Sequence, residues 1–289
     1  MKKTIRTIVC VLMSVVFVAS ACTLIYKQIQ LRENAVAQNE AQQLIDLPEP
    51  SVPLAEPELP VEQPVEEPEV EVIVDEPTEL PEPVFTDEKA EMLLNVDLGE
   101  LKGMNEDVIG WIEIPDTPIS YPLLQGKDNQ YYLNHNWKKD YNAGGSIFME
   151  AQNRADFSNF NTLIYGHRMS DSSMFNSLRH YESEEYLAKH QRVYIVTEQG
   201  VRVYEVVAAM KVMVKDPVYW LISDQEKYMQ KMIDFCLENS VIEGNLTPNI
   251  ENRFLTLSTC TGLTASDDRW VVVAVEVGIV SALSEKAKY

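Results

Sequence analysis

Three residues of this chain have types and settings that could do chemistry together. Cys260 ends the run Phe254-Leu-Thr-Leu-Ser-Thr-Cys and is followed at once by Thr261-Gly262. A cysteine at a strand end beside a glycine turn can reach solvent, and its thiolate would be a nucleophile. His167 follows another apolar run, Asn161-Thr-Leu-Ile-Tyr-Gly-His, with Gly166 removing side-chain bulk just before it. An imidazole there can move protons near neutral pH. Arg269 opens Arg-Trp-Val-Val-Val-Ala-Val, nine residues after Cys260. If the two strands are neighbours, the cysteine leaves one at the rim where the arginine enters the next, and a guanidinium there can stabilise an oxyanion. Each residue taken alone also has a plain reading: a core thiol, a loop histidine, and a surface charge paired with Asp267 or Asp268.

The remaining candidates are weaker. Cys236 falls on one face of an amphipathic stretch with Met229, Met232 and Ile233, as a small hydrophobe would. In an oxidising compartment a Cys236–Cys260 disulfide is the alternative. His135, His180 and His190 read as structural, and four scattered histidines without carboxylate or cysteine spacing argue against a zinc site. No metal and no cofactor is expected.

The elements that must position these residues are mostly strands. Runs rich in Val, Ile, Tyr and Thr cover Gly110–Ile114, Ile119–Leu123, Ser146–Met149, Thr162–Tyr165, Arg192–Thr197, Val201–Val214, Phe254–Thr259 and Trp270–Val277. Helical patterns are expected at Lys89–Leu101, Met174–His190 and Asp224–Val241. Eight short strands with few helices imply an all-β dominated fold with peripheral helices, closed or nearly closed into a barrel.

Charge divides the chain. Of 289 residues, 45 are acidic and 24 basic, a net −21; the window Asp46–Glu88 holds 15 acidic residues, no basic one and ten of the 15 prolines. The rest carries −21 − (−15) = −6, so nothing supplies the basic surface that a nucleic-acid binder needs. Proline and mutually repelling carboxylates predict an extended, disordered stalk over 33–88. Ahead of it, Lys2, Lys3 and Arg6 precede 19 uncharged residues, Ile8–Tyr26, about 28 Å as a helix and close to a bilayer core. A signal anchor over 1–32 with a cytoplasmic N-terminus follows. Ala19-Ser20-Ala21 before Cys22 leaves two alternatives, cleavage or lipidation at Cys22. All three export the remainder. The globular domain then spans 89–289.

Taken together, Leu255-Thr-Leu-Ser-Thr-Cys260, Arg269 and Tyr165-Gly-His167 resemble the class B sortases. The resemblance extends through Val108-Ile-Gly-Trp-Ile-Glu-Ile-Pro115, Tyr121-Pro-Leu-Leu-Gln-Gly-Lys-Asp-Asn129, Tyr131-Tyr-Leu133, Gly145-Ser-Ile-Phe-Met149 and Met174-Phe175, covering about Asn105–Val277. It implies an eight-stranded sortase-type barrel with an N-terminal helix and a long helix before the penultimate strand. It also implies a cell-surface cysteine transpeptidase. By that analogy Cys260 attacks the carbonyl after the Thr of an Asn-Pro-x-Thr-like sorting motif, His167 protonates the leaving amine, and Arg269 steadies the oxyanion. Sorting-motif-bearing surface proteins or pilins would be the clients, and a peptidoglycan peptide or pilin lysine the accepting amine. Asn129, Leu133, Ser258 and Thr259 would line the peptide groove, joined more loosely by Tyr219 and Trp220. A peptidase that only hydrolyses such motifs and an exported binding domain with an idle thiol are the rival functions; an added amine separates the first, replacement of Cys260 the second.

Overall fold

The structure is a computed structural model that describes residues 2–45, 85–221, 225–260 and 268–281, with backbone alone for 2–11 and Cys260. Eight strands close into a barrel: β1 (Val108–Glu113), β2 (Ser120–Leu124), β3 (Ile147–Met149), β4 (Asn161–Tyr165), β5 (Arg192–Thr197), β6 (Gly200–Met213), β7 (Phe254–Cys260) and β8 (Asp268–Val280). Their order around the barrel is β1-β2-β3-β4-β7-β8-β6-β5, with β5 pairing back onto β1. The β2–β3 and β4–β7 pairs are parallel, the other six antiparallel. Closure removes the unpaired edges that an open sheet of this size would leave.

Alternation along the strands sets the layers. Leu255 and Leu257 of β7, Val272 and Ala274 of β8 and Ile164 of β4 fill the interior with Ile112, Ile147, Met149 and Ile195. The 3-10 helix Phe175–Glu182 adds Phe175, Leu178 and Tyr181 to that core. The expected helix over Met174–His190 is thus two pieces. Ser183 Oγ accepts from the Tyr186 amide and caps a fresh helix, α4 (Glu184–Lys189). The long helix, α5 (Glu226–Asn239), covers the outer face of β6, β7 and β8, burying Met232, Ile233 and Cys236 on Met210, Val271 and Val273. Each such side chain contributes about 1.5–3 kcal/mol. Cys236 is a free thiol within that layer, so the disulfide alternative does not hold.

The helices at the start of the chain depart from expectation. α1 (Lys2–Leu44) does not end near residue 32. Residues 33–44, Glu-Asn-Ala-Val-Ala-Gln-Asn-Glu-Ala-Gln-Gln-Leu, are good helix formers without proline, and proline begins only at Pro48. A disordered stalk starting at residue 33 is therefore corrected: 33–44 are helical, and Ala37, Ala41 and Ile45 are buried against the domain. The Trp137 Nε1–H donates to the Ala37 carbonyl at 2.6 Å, and Asn142 Nδ2 to the Gln30 carbonyl at 2.9 Å. Lys138 pairs with Glu40 at 2.9 Å, and Gln42 Nε2 donates to the Ser120 carbonyl at 3.0 Å. By contrast, the apolar side chains from Leu12 to Tyr26 are exposed, within a helix holding an 18-residue stretch apolar enough to cross a membrane.

Residues 46–84, the core of the stalk reading, lie outside the described residues. The chain resumes on the barrel: Phe85 packs with that same cluster, and Asp87 Oδ1 caps α2 (Glu88–Leu93) by accepting from the Ala90 amide at 2.9 Å. The helix expected over Lys89–Leu101 is split, α3 (Gly99–Met104) being its second part.

Candidate active site

The outer face of four adjacent strands, β3-β4-β7-β8, forms one wall of a groove of about 430 Å³. The register explains the convergence. Tyr165 of β4 stands beside Ser258 of β7, and Cys260 stands opposite Arg269 across the β7–β8 ladder. The Gly166 amide donates to the Ser258 carbonyl at 3.1 Å, which carries the β4–β7 pairing one residue past β4. His167 is therefore delivered to the rim where β7 ends.

Of the residues expected in the site, His167, Arg269, Asn129, Leu133, Ser258, Thr259 and Tyr219 all line this groove. Cys260 is placed by its backbone at the end of β7, next to Thr259. Trp220 is not among the lining residues: its ring meets Tyr228 edge-on at 5.8 Å, with the Lys231 ammonium 5.2 Å from its centroid. The Thr261-Gly262 turn and Asp267 lie outside the described residues. Asp268 pairs with Lys211 at 2.6 Å, and its carbonyl accepts from Arg269 Nη1 at 2.9 Å.

Gly166 is a steric requirement. A Cβ there would come within 2.5 Å of Ile147 Cδ1 and 2.7 Å of Phe175 Cδ2. His167 Nε2 lies 2.6 Å from the Leu133 carbonyl. A carbonyl only accepts, so Nε2 carries the hydrogen of that contact. Leu133 thus contributes an exposed apolar side chain to the groove and a backbone acceptor that orients the imidazole.

The opposite wall hangs on loops. Pro217 starts the 3-10 turn Pro217–Tyr219, and Asn161 of β4 anchors it by donating from Nδ2 to the Val218 carbonyl at 2.9 Å. That anchor brings the Tyr219 hydroxyl to 2.6 Å from Ser258 Oγ. Thr259 Oγ1 is buried and has no hydrogen-bond partner among the described residues.

Glu150 and Gln152 also line the groove and were not singled out by the sequence reading; Phe148 and Tyr165 were visible only as parts of motifs. Glu150 follows β3 and accepts from Asn129 Nδ2 at 2.6 Å and from the Tyr165 hydroxyl at 2.9 Å. Burial and the Glu150 charge push the Tyr165 phenol well above its ordinary range, so it stays protonated. The three other histidines stand away from the groove. His135 stacks on Tyr131 at 4.0 Å, His190 Nδ1 lies 3.0 Å from the Pro115 carbonyl, and His180 packs near Tyr186. Burial pushes the Cys236 thiol up to about 12.

A closed eight-stranded barrel with a strand-end cysteine, a histidine past a neighbouring strand and an arginine opposite the cysteine belongs to a defined class. The sortase domain family model matches residues 112–277, and the chain belongs to the sortase family. Its relatives are class B enzymes. Sortase B of Listeria monocytogenes is 38% identical over 170 residues, 57% of this chain and 67% of that protein. A Staphylococcus aureus sortase B–substrate complex superposes with a TM-score of 0.60 at 32% identity, covering 63% of this chain and 84% of that one. A sortase B complexed with triglycine gives 0.60 at 32%, covering 63% and 85%. This chain is a cysteine transpeptidase with a β-dominated fold of the sortase B type.

Proposed function

We propose that this chain is a membrane-anchored, extracellular transpeptidase that cuts an Asn-Pro-x-Thr-like sorting motif after Thr and passes the client to an amine. Cys260 is the nucleophile, His167 the proton carrier and Arg269 the oxyanion partner. In the first step Cys260 Sγ bonds to the threonyl carbonyl carbon, the C–N bond breaks, and His167 gives a proton to the departing amine. In the second step an acceptor amine attacks the thioester, loses a proton to His167, and the C–S bond breaks. Splitting acyl transfer this way replaces one hard step by two easier ones. The donors near the carbonyl stabilise negative charge that exists only in the transition states. The observation that carries the reading is the Cys260–Arg269 register pair at the barrel rim, beside the strand end that delivers His167.

The groove supplies the peptide subsite: Asn129, Leu133 and Tyr219 from loops, Ser258 and Thr259 from β7. The likeness to sortase B structures described with a substrate and with triglycine supports a sorting-motif donor and an amine acceptor; a peptidoglycan peptide or a pilin lysine fits the second role. The apolar part of α1 is the anchor, crossing once with its N-terminus in the cytoplasm, and supports a cell-surface location. Since α1 continues without a break into its docked part, the domain sits close to the bilayer.

The test uses the full chain in detergent with peptides carrying Asn-Pro-x-Thr-Gly, with and without triglycine or a stem-peptide amine, followed by mass spectrometry. A ligated product, and a thioester on Cys260 when acceptor is withheld, is the expected result. Cleavage with every acceptor yielding only acid would replace transfer by hydrolysis. Undiminished turnover in Cys260→Ala would overturn the assignment of the nucleophile.

A further inference from the structure

We propose that Glu150 is a positioning residue of the peptide groove, fixing which hydrogen-bonding groups Asn129 and Tyr165 present to the bound peptide. The proposal rests on reading this groove as the peptide site. Glu150 is only 5% exposed, and such a carboxylate must have donors around it. It has three: Asn129 Nδ2 at 2.6 Å and the Tyr165 hydroxyl at 2.9 Å on Oε2, and the Gln152 amide at 3.2 Å on Oε1. Its backbone is pinned as well. The Glu150 carbonyl accepts from Gln125 Nε2 at 3.0 Å and from the Asn153 amide at 3.0 Å.

The polarity follows from donor counting. Asn129 Oδ1 accepts from the Ala151 amide at 2.8 Å, so its amide is oriented from both ends and cannot turn over. One N–H of Nδ2 goes to Glu150, and the second is left as a donor on a residue that lines the groove. Tyr165 has a single hydroxyl hydrogen, which goes to Glu150, so toward the groove its oxygen can only accept. The groove thereby offers one donor and one acceptor, complementary to an amide with its C=O and N–H, and repels a carboxylate twice, through Tyr165 and through the charge of Glu150. Neither feature would survive if a neutral, rotatable group stood at position 150.

Glutamine at 150 has nearly the shape of glutamate but carries hydrogens where donors already point, so it collides with either Asn129 Nδ2 or the Gln152 amide. The experiment measures binding of a fluorescent Asn-Pro-x-Thr-Gly peptide to the full chain carrying Cys260→Ala, which removes chemistry from the readout. Onto that background go Glu150→Gln, Asn129→Ala, and both. Losing a hydrogen bond to a charged group predicts a roughly tenfold weaker Kd for each single variant. If Glu150 acts through Asn129, the double variant is weakened by about the same tenfold rather than about a hundredfold. Glu150→Asp, which keeps the carboxylate on a shorter stem, should recover part of the loss. A multiplicative double variant, or Glu150→Gln within about twofold of the parent, overturns the proposal. If the parent itself binds no motif peptide while melting cooperatively, the reading of the groove falls, and the proposal with it. Should Glu150→Gln fail to fold, the same cycle run with Glu150→Asp and Asn129→Ala gives the answer.

Discussion

The two walls of the groove are built by different physics. One wall is carried by β3, β4, β7 and β8, where ladder registers place Phe148, Tyr165, Ser258, Cys260 and Arg269 with no freedom beyond side-chain rotation. The other is carried by the loop segments 125–146 and 214–221, and its geometry depends on side chains that reach across: Asn161 to the Val218 carbonyl, Glu150 to Asn129, His167 to the Leu133 carbonyl. A ladder shifts only in whole registers, whereas a loop drifts. The strand-borne wall therefore suits the reacting groups, and the loop-borne wall suits recognition, where small shifts change affinity more than rate.

The largest effects should come from the strand-borne wall. Cys260→Ala is expected to abolish both cleavage and ligation, and His167→Asn to lower kcat by roughly 10²–10⁴-fold, the usual worth of a positioned proton carrier. Product formation followed by mass spectrometry checks both. Gly166→Ala comes next. The added methyl meets the Ile147 and Phe175 side chains, so either they or the backbone before His167 must shift, which disturbs the placement of the imidazole. About tenfold to a hundredfold in kcat should go, with little change in KM. If KM rises instead and kcat holds, His167 belongs to the recognition wall and the division between the walls fails.

The division also explains what could be read from the sequence. Strand runs rich in Val, Ile, Tyr and Thr gave eight elements within a residue or two of the observed ones at most ends, and the Cys–His–Arg constellation was legible because each member ends or begins such a run. Glu150 was not legible, since one carboxylate after Ser-Ile-Phe-Met reads as a surface charge closing a strand. Only its burial beside Asn129 and Tyr165 reveals a partnered group. The docked part of α1 was missed for a related reason. It buries alanines and the polar Gln30, Asn34 and Gln38, which leave no apolar stripe for periodicity to detect. Acidity and proline drew the stalk boundary at residue 33, but the first proline comes at residue 48.

That dock bears on the loop-borne wall, because α1 holds Trp137 and Asn142, which lie on the same segment as Asn129 and Leu133. Ala41→Arg places a charge at a fully buried position and should undock the helix. With Leu133 less restrained, a loss of roughly fivefold to tenfold in kcat/KM is expected, smaller than that of Gly166→Ala. A protease site introduced within 46–84 separates dock from tether in membrane vesicles. After cutting, the wild-type domain should sediment with the membrane, and the Ala41→Arg domain should be released. Release of both would reduce α1 to an anchor with no part in the wall. Tyr219→Phe, which removes the hydroxyl 2.6 Å from Ser258, should be milder still, raising KM about threefold to tenfold at constant kcat.

The two thiols extend the contrast to single atoms. Cys260 ends β7 next to the groove-lining Thr259, whereas Cys236 is 2% exposed on the inner face of α5 with its thiol pushed up to about 12. Near neutral pH Cys236 is no nucleophile, so in the folded chain it should resist alkylation under conditions that modify Cys260. The shift also has a stability sign. The folded thiol holds its proton more tightly than the unfolded one, so the unfolded state binds fewer protons once pH passes the ordinary thiol value near 9. Stability is then complete below about pH 9 and falls as pH rises toward 12, by up to about 1.4 kcal/mol per unit. Buried tyrosines such as Tyr181 and Tyr204, also shifted upward by burial, add to the fall only above their ordinary value of 10. The interval between pH 9 and 10 therefore belongs mainly to Cys236. Urea midpoints at pH 8, 9 and 10 should show a decline in wild type that Cys236→Val flattens. An equal decline in both would mean that this thiolate is solvated in the native state, and that the layer beneath α5 is open to water.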